Sequence, residues 1–385
     1  MELSRDAMGL PPDRLVQALE ERIARRRAEV AERDRRFGAQ RVRVHSYMEN
    51  LGWPPLFGFD FNDYYGDPGF MLEQELRQRI FWLDNTCGDD GAGFGVSPTT
   101  GFYWDITLFG QRIRTTPGGV PEFLPHPLAA EPQVDLLERF DFQSSGDMPV
   151  LLRQHRELQR LSAERYSGAI DVAFPRFHRG PLDILIQLRG YEAFVADLAE
   201  RPDFVRQALD RLVAERLRWN EERAAYLGEP FPWPETFVAD DWLNPPFLSP
   251  AIFRDFVLPA YRTIEANEGP VKGVHTCGPL GPLVADLLAS FPGITTLDLS
   301  GWNDFGRLDE VVDPAIGFSC QMRNTFVLCE PEAVHARMLG LLKRVASRRP
   351  LTVNAQSIVM LHPQPEENFR RLNDFIRLAQ ERLAA

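Results

Sequence analysis

The chain has 385 residues, 44% of them hydrophobic and 25% charged, which is enough apolar material for a large core and excludes a disordered or fibrous chain. A formal net charge of -12 excludes a general nucleic-acid binder, which needs a basic surface to replace the counterions around phosphate. The arginine-rich run Arg22 to Arg36 does not alter this, because Glu29, Glu32 and Asp34 interleave it and make it a solvated helix with close opposite charges. No apolar run approaches the roughly eighteen residues of a membrane span, and no basic start leads into an apolar leader, so a soluble, cytoplasmic protein is expected. The four cysteines, Cys87, Cys277, Cys320 and Cys329, suggest no disulfide framework and fit a reducing compartment.

From Pro11 to about Phe37 the apolar residues Leu15, Leu19, Ile23 and Val30 fall on one side of a long helix, expected to pack as an arm on the main body. His45 to Pro68 is aromatic and rich in Pro and Gly, and reads as a loop that either fills gaps or covers a pocket. Phe70 to Leu83 is helical in pattern, and the glycines of Asn85 to Val96 then break it. Phe102 to Pro132 holds short β-like pieces, a small β excursion. A helix follows from Met148 to about Tyr166.

From there strands and helices alternate. The candidate strands are Ala169–Phe174, Thr236–Trp242, one that starts in Gly269–Gly273 and ends at His275 and Cys277, Ile294–Ser300, Ala315–Cys320 and Leu351–Ala355, with the apolar run Gly180–Gly190 after the first of them. Pro202 and Pro250 mark helix starts between them, since proline suits the first helical turn. Repeated β-then-α units predict a parallel sheet, and at this length a closed TIM-type (β/α)8 barrel over residues 71–385, preceded by the helical arm and aromatic loop of residues 1–70.

In such a barrel the side chains at the C-terminal strand ends form the active site. His275 and Cys277 stand there, two residues apart on an extended chain and therefore pointing the same way. An imidazole and a thiolate both suit zinc, which in catalytic sites takes three protein ligands and leaves a position for substrate. Cys320 is the first candidate for the third ligand, followed by Asp298 and Cys329. Of the adjacent pair Asp240 and Asp241, only one can face the pocket, as a substrate contact or acid/base group. His178 and His362 are further acid/base candidates. Zinc in such a site can hold a thiol substrate as its thiolate, polarise a carbonyl or activate water.

Taken in order, Gly180-Pro181 through Arg189-Gly190, Asp240-Asp241-Trp242 with Leu248-Ser249-Pro250, His275-Thr276-Cys277-Gly278, and the late stretch from Pro363 through Glu367-Asn368-Phe369 resemble the uroporphyrinogen decarboxylase superfamily. The resemblance covers about residues 150–385 and implies an α/β barrel. The decarboxylases of that superfamily carry an arginine-rich substrate motif near the N-terminus, whereas Tyr47 to Tyr65 here contains no arginine. The other branch, zinc-dependent methyltransferases that move a methyl group between a corrinoid and a thiol or methylated substrate, has a His-x-Cys pair that matches His275 and Cys277. That branch has a further cysteine after the final strand, where this chain has Asn354-Ala355-Gln356-Ser357. The resemblance therefore implies a metal-dependent methyltransferase-like enzyme with a small-molecule substrate and a corrinoid supplied freely or by a partner protein. The alternatives are a metal-free decarboxylase or lyase, and a non-catalytic tetrapyrrole-binding protein.

Overall fold

The computed structural model describes residues 2–384 apart from 40, 92, 118–120, 138, 178 and 246, and of 356 and 357 only the backbone. The strands are β1 Arg43–Met48, the hairpin pair β2 Ile113–Thr115 and β3 Pro121–Phe123, then β4 Thr236–Ala239, β5 Val271–Thr276, β6 Thr296–Ser300, β7 Gly317–Gln321 and β8 Leu351–Ile358. Six of them form one parallel sheet in the order β1-β8-β7-β6-β5-β4, and β2 and β3 pair antiparallel on their own. Helices follow each of β4 to β8, as parallel connections require.

Helix starts follow local chemistry. Pro202, Pro250 and Pro365 occupy first-turn positions, where the missing N–H costs nothing. Asp67 accepts from the amides of Gly69 and Phe70 at the head of Pro68–Asn85, and Asp304 accepts from Arg307 at the head of Phe305–Val311. The arm is the helix Leu15–Phe37, which buries Leu15, Leu19 and Ile23 and lies against Pro68–Asn85. Arg26, also buried, ties it down by donating to the carbonyls of Gly88, Leu83 and Thr86.

The eight-stranded barrel expected from the sequence is present here as a six-stranded ladder; no closed ladder forms among the described residues. On the open side two isolated parallel bridges occur among the described residues, Val96 with Val172 and Arg179 with Ala239. The glycine-rich stretch after Asn85 gives β1 one backbone bond, from the Asp89 amide to the Val44 carbonyl at 2.7 Å, and otherwise side chains rather than a strand. Asp89 accepts from the Val44 amide at 2.9 Å and Asp90 from the Ser46 amide at 3.1 Å. These carboxylates satisfy strand-edge amides that a neighbouring strand would otherwise take.

Two local expectations are corrected. His45 to Pro68 is not a loop: it contains most of β1, which pairs with β8, and the short helices Trp53–Phe57 and Phe61–Gly66. Its aromatics pack inward; Trp53 meets Phe57, Phe81 and Trp82 edge to face. Within the β excursion, Trp104–Thr107 is a helical turn, and β2 and β3 are the strands among the described residues.

Candidate metal centre

The register of the sheet lines up polar residues on one of its faces. His275 on β5 stands opposite Asp298 on β6, which stands opposite Ser319 on β7; Gln321, two residues on, faces Asn354 on β8. The alternate positions Leu299, Cys320 and Val353 make the apolar face and are wholly buried. Strand alternation thus decides which side chains can meet at the site.

At the C-terminal end of β5 the chain continues through Cys277 into Gly278-Pro279. A Cβ on Gly278 would lie 2.1 Å from Cγ of Asn244, so this close approach of two turns requires glycine. Asn244 closes the turn after β4 by donating to the carbonyl of Asp241 at 2.8 Å. That turn carries the Asp241 carboxylate across to β5. The Cys277 Sγ lies 3.0 Å from Oδ1 of Asp241 and 3.5 Å from Nε2 of His275, and His275 Nε2 lies 3.7 Å from the same Asp241 oxygen. The three donor atoms lie within 4.8 Å of one another, the one such group of histidine, cysteine and carboxylate side chains among the described residues.

The partners around this trio fix its state. His275 Nδ1 is 2.9 Å from Asp298 Oδ2, and the Gln321 amide donates to the other Asp298 oxygen. Asn354 in turn donates to Ser319 at 2.8 Å. Burial tends to lower the His275 pKa, but the hydrogen bond and charge of Asp298 outweigh it and leave it raised. Burial likewise opposes ionisation of Asp298, and His275 reverses that to hold it low. The Cys277 thiol is pushed up, first by burial and then by the Asp241 charge, so without a cation it stays protonated and donates to Asp241. The nearby Asp183 is raised to about 6 by burial, although Arg179 opposes this at 2.5 Å.

Each residue singled out in the sequence has a definite place. His275 and Cys277 come together as expected. The question between the two aspartates is resolved for Asp241: Asp240 points the other way, is wholly buried, and accepts from the Tyr261 hydroxyl at 3.0 Å. Burial holds the Asp240 carboxyl well above its ordinary pKa. It presses on Gly180, where a Cβ would meet Asp240 Oδ2 at 2.1 Å. Cys320 is not the third donor, because alternation on β7 turns it to the apolar face, where burial pushes its thiol up. Asp298 serves as the partner of His275 rather than as a member of the trio. Cys329 ends the helix Asn324–Cys329, and His362 is engaged with the Leu328 carbonyl at 3.0 Å. His178 lies outside the described residues.

A cavity of about 510 Å³ opens onto Asp241 and Cys277 and is walled by Gln187, Trp242, Asn244, Phe247 and Trp302. This size lies within the usual range for small-molecule sites, about 300–1,000 Å³. The sequence reading passed over Phe247 and Trp302, although both follow strands at the end where barrels gather their sites, and that position was the available signal.

Fold and site together define a parallel α/β protein with the side chains of Asp241, His275 and Cys277 gathered at its C-terminal strand ends. The fold is shared with a methyltransferase from Methanosarcina mazei, at a TM-score of 0.58 and 16% sequence identity, over 90% of this chain and 95% of that one. At this identity the likeness is one of fold. No protein-family model and no curated protein matches the chain. No helix among the described residues is long and apolar enough to cross a membrane.

Proposed function

We propose that the chain is a metal-dependent methyltransferase-like enzyme of the uroporphyrinogen decarboxylase superfamily, built on an eight-position barrel of which six strands are laddered. The observation that carries this reading is the convergence of Asp241, His275 and Cys277 within 4.8 Å at the wall of a cavity. A nitrogen, an oxygen and a sulfur donor with one side open fit the catalytic form of zinc coordination, three protein ligands and a free position. Asp241 would take the place proposed from sequence for Cys320. The fold shared with a protein titled a methyltransferase supports the same direction.

The residues have separate tasks. Asp298, by engaging Nδ1 of His275, leaves Nε2 facing Cys277 and Asp241, the orientation a ligating imidazole needs. Gln321 holds Asp298 in that position. When bound, zinc would keep a substrate thiol ionised near neutral pH. Methyl transfer then balances simply: the sulfur electron pair forms the new S–C bond, and the pair of the breaking bond stays with the donor. The proposed donor is a corrinoid, free or carried by a partner protein, or a small methylated compound.

The test is elemental analysis of protein purified under reducing conditions, beside Cys277→Ala. Near-stoichiometric zinc in the parent and its loss in the variant are expected. Absence of metal from both after reconstitution would overturn the reading.

A further inference from the structure

The walls of the cavity have a chemistry that the metal centre does not require. Trp242 stacks on Tyr191 at 5.2 Å with an interplanar angle of 13°, which supports one of its faces. Phe247 meets Trp242 edge to face at 5.1 Å and is itself held by Tyr191. Trp302 stands at the same end of the sheet, after β6, and is 63% exposed; Phe247 is 40% exposed. Large rings left open around a cavity mark a surface that a ligand covers.

The charge of the lining is one-sided. The described lining residues include the carboxylate of Asp241 and no lysine or arginine. Beside the lining, the Arg323 guanidinium lies over the Trp302 ring at 4.0 Å, so a cation is already seated on one of these aromatic faces. An anionic ligand would find no lining cation to pair with, and a strongly hydrated one would lose its water without compensation. A soft cation is attracted by the negative faces of aromatic rings, Trp above all, and loses little hydration on entry.

We propose that this cavity takes a methylated onium cation, a quaternary ammonium or sulfonium head, between Trp242, Phe247 and Trp302. That such a cation is the methyl-bearing substrate rests on the function proposed above. Its binding does not, because the recognising groups are rings outside the metal trio.

The experiment is isothermal titration calorimetry with three ligands of one shape and different charge: choline, 3,3-dimethylbutan-1-ol and 3,3-dimethylbutanoate. It is run on the parent protein with and without a chelator and on Cys277→Ala. Choline is expected to bind best, by roughly tenfold over the neutral alcohol, in all three states. The preference is expected to fall in Phe247→Ala or Trp302→Ala, both substitutions of partly exposed rings that the fold tolerates. Equal binding of choline and the alcohol, tightest binding of the carboxylate, no binding of any of the three, or a preference that survives in both ring variants would overturn the proposal. Absence of zinc from the parent protein after reconstitution, with the choline preference retained, would remove the metal reading and leave this one standing.

Discussion

The two ends of the parallel sheet treat buried charge in opposite ways. At the N-terminal ends, charges are closed into complete networks. Arg216 makes two bonds of 2.8 Å to Glu268, which also accepts from Asn220 and from Thr236 at the start of β4. Arg349, before β8, reaches Asp309 at 2.6 Å and the carbonyls of Asp309, Val312, Asp313 and Ile316. At the C-terminal ends, Asp241 and Cys277 open onto a cavity and share one proton contact, and no arginine or lysine pairs with the trio among the described residues. Networks with every donor and acceptor used hold strands in place; a cluster left short of positive charge is a candidate functional site.

The contrast can be broken most forcefully at its closed end. Glu268→Ala should cost about 3–5 kcal/mol of stability, since it strands the buried Arg216 guanidinium, and chemical denaturation measures it. At the open end the loss should be functional: Asp298→Asn is expected to weaken zinc affinity by roughly 10–100-fold while the unfolding midpoint hardly moves, as read by competition with a chromogenic chelator. Cys320→Ser should cost about 1–3 kcal/mol by leaving a hydroxyl on the apolar face without a partner, and should leave zinc content unchanged. Zinc lost from that variant would restore Cys320 to the metal centre. The smallest effect is expected for Cys277→Ala in metal-free protein, a stability change within about 0.5 kcal/mol, because the thiol lies open to the cavity.

The longer helices and the strands β4 to β8 were readable because their signals are local. Proline in the first turn and caps such as Ser249 set the helix starts, and short apolar runs preceded most helices. β1 was hidden because its inward positions include Ser46 beside Val44 and Met48, so the apolar pattern is incomplete. In the site, His275 and Cys277 were legible because two-residue spacing on a strand needs no tertiary knowledge. Asp241 could not be separated from Asp240, since the turn held by Asn244 decides which one reaches β5. Cys320 failed for a reason within the sequence itself: Ser319 and Gln321 already mark the polar face of β7, and Cys320 lies between them. The pairing of His275 with Asp298 depends on register across two strands, which no local pattern encodes.

Where β1 meets the stretch after Asn85, the sheet is edged by two carboxylates instead of a strand, and Arg41 clamps Asp89 from the other side at 2.6 and 2.7 Å. Asp89 also donates its own amide to the Val44 carbonyl at 2.7 Å, so one residue closes both backbone groups of Val44, and the sheet is sealed there by a buried charge against the addition of a further strand.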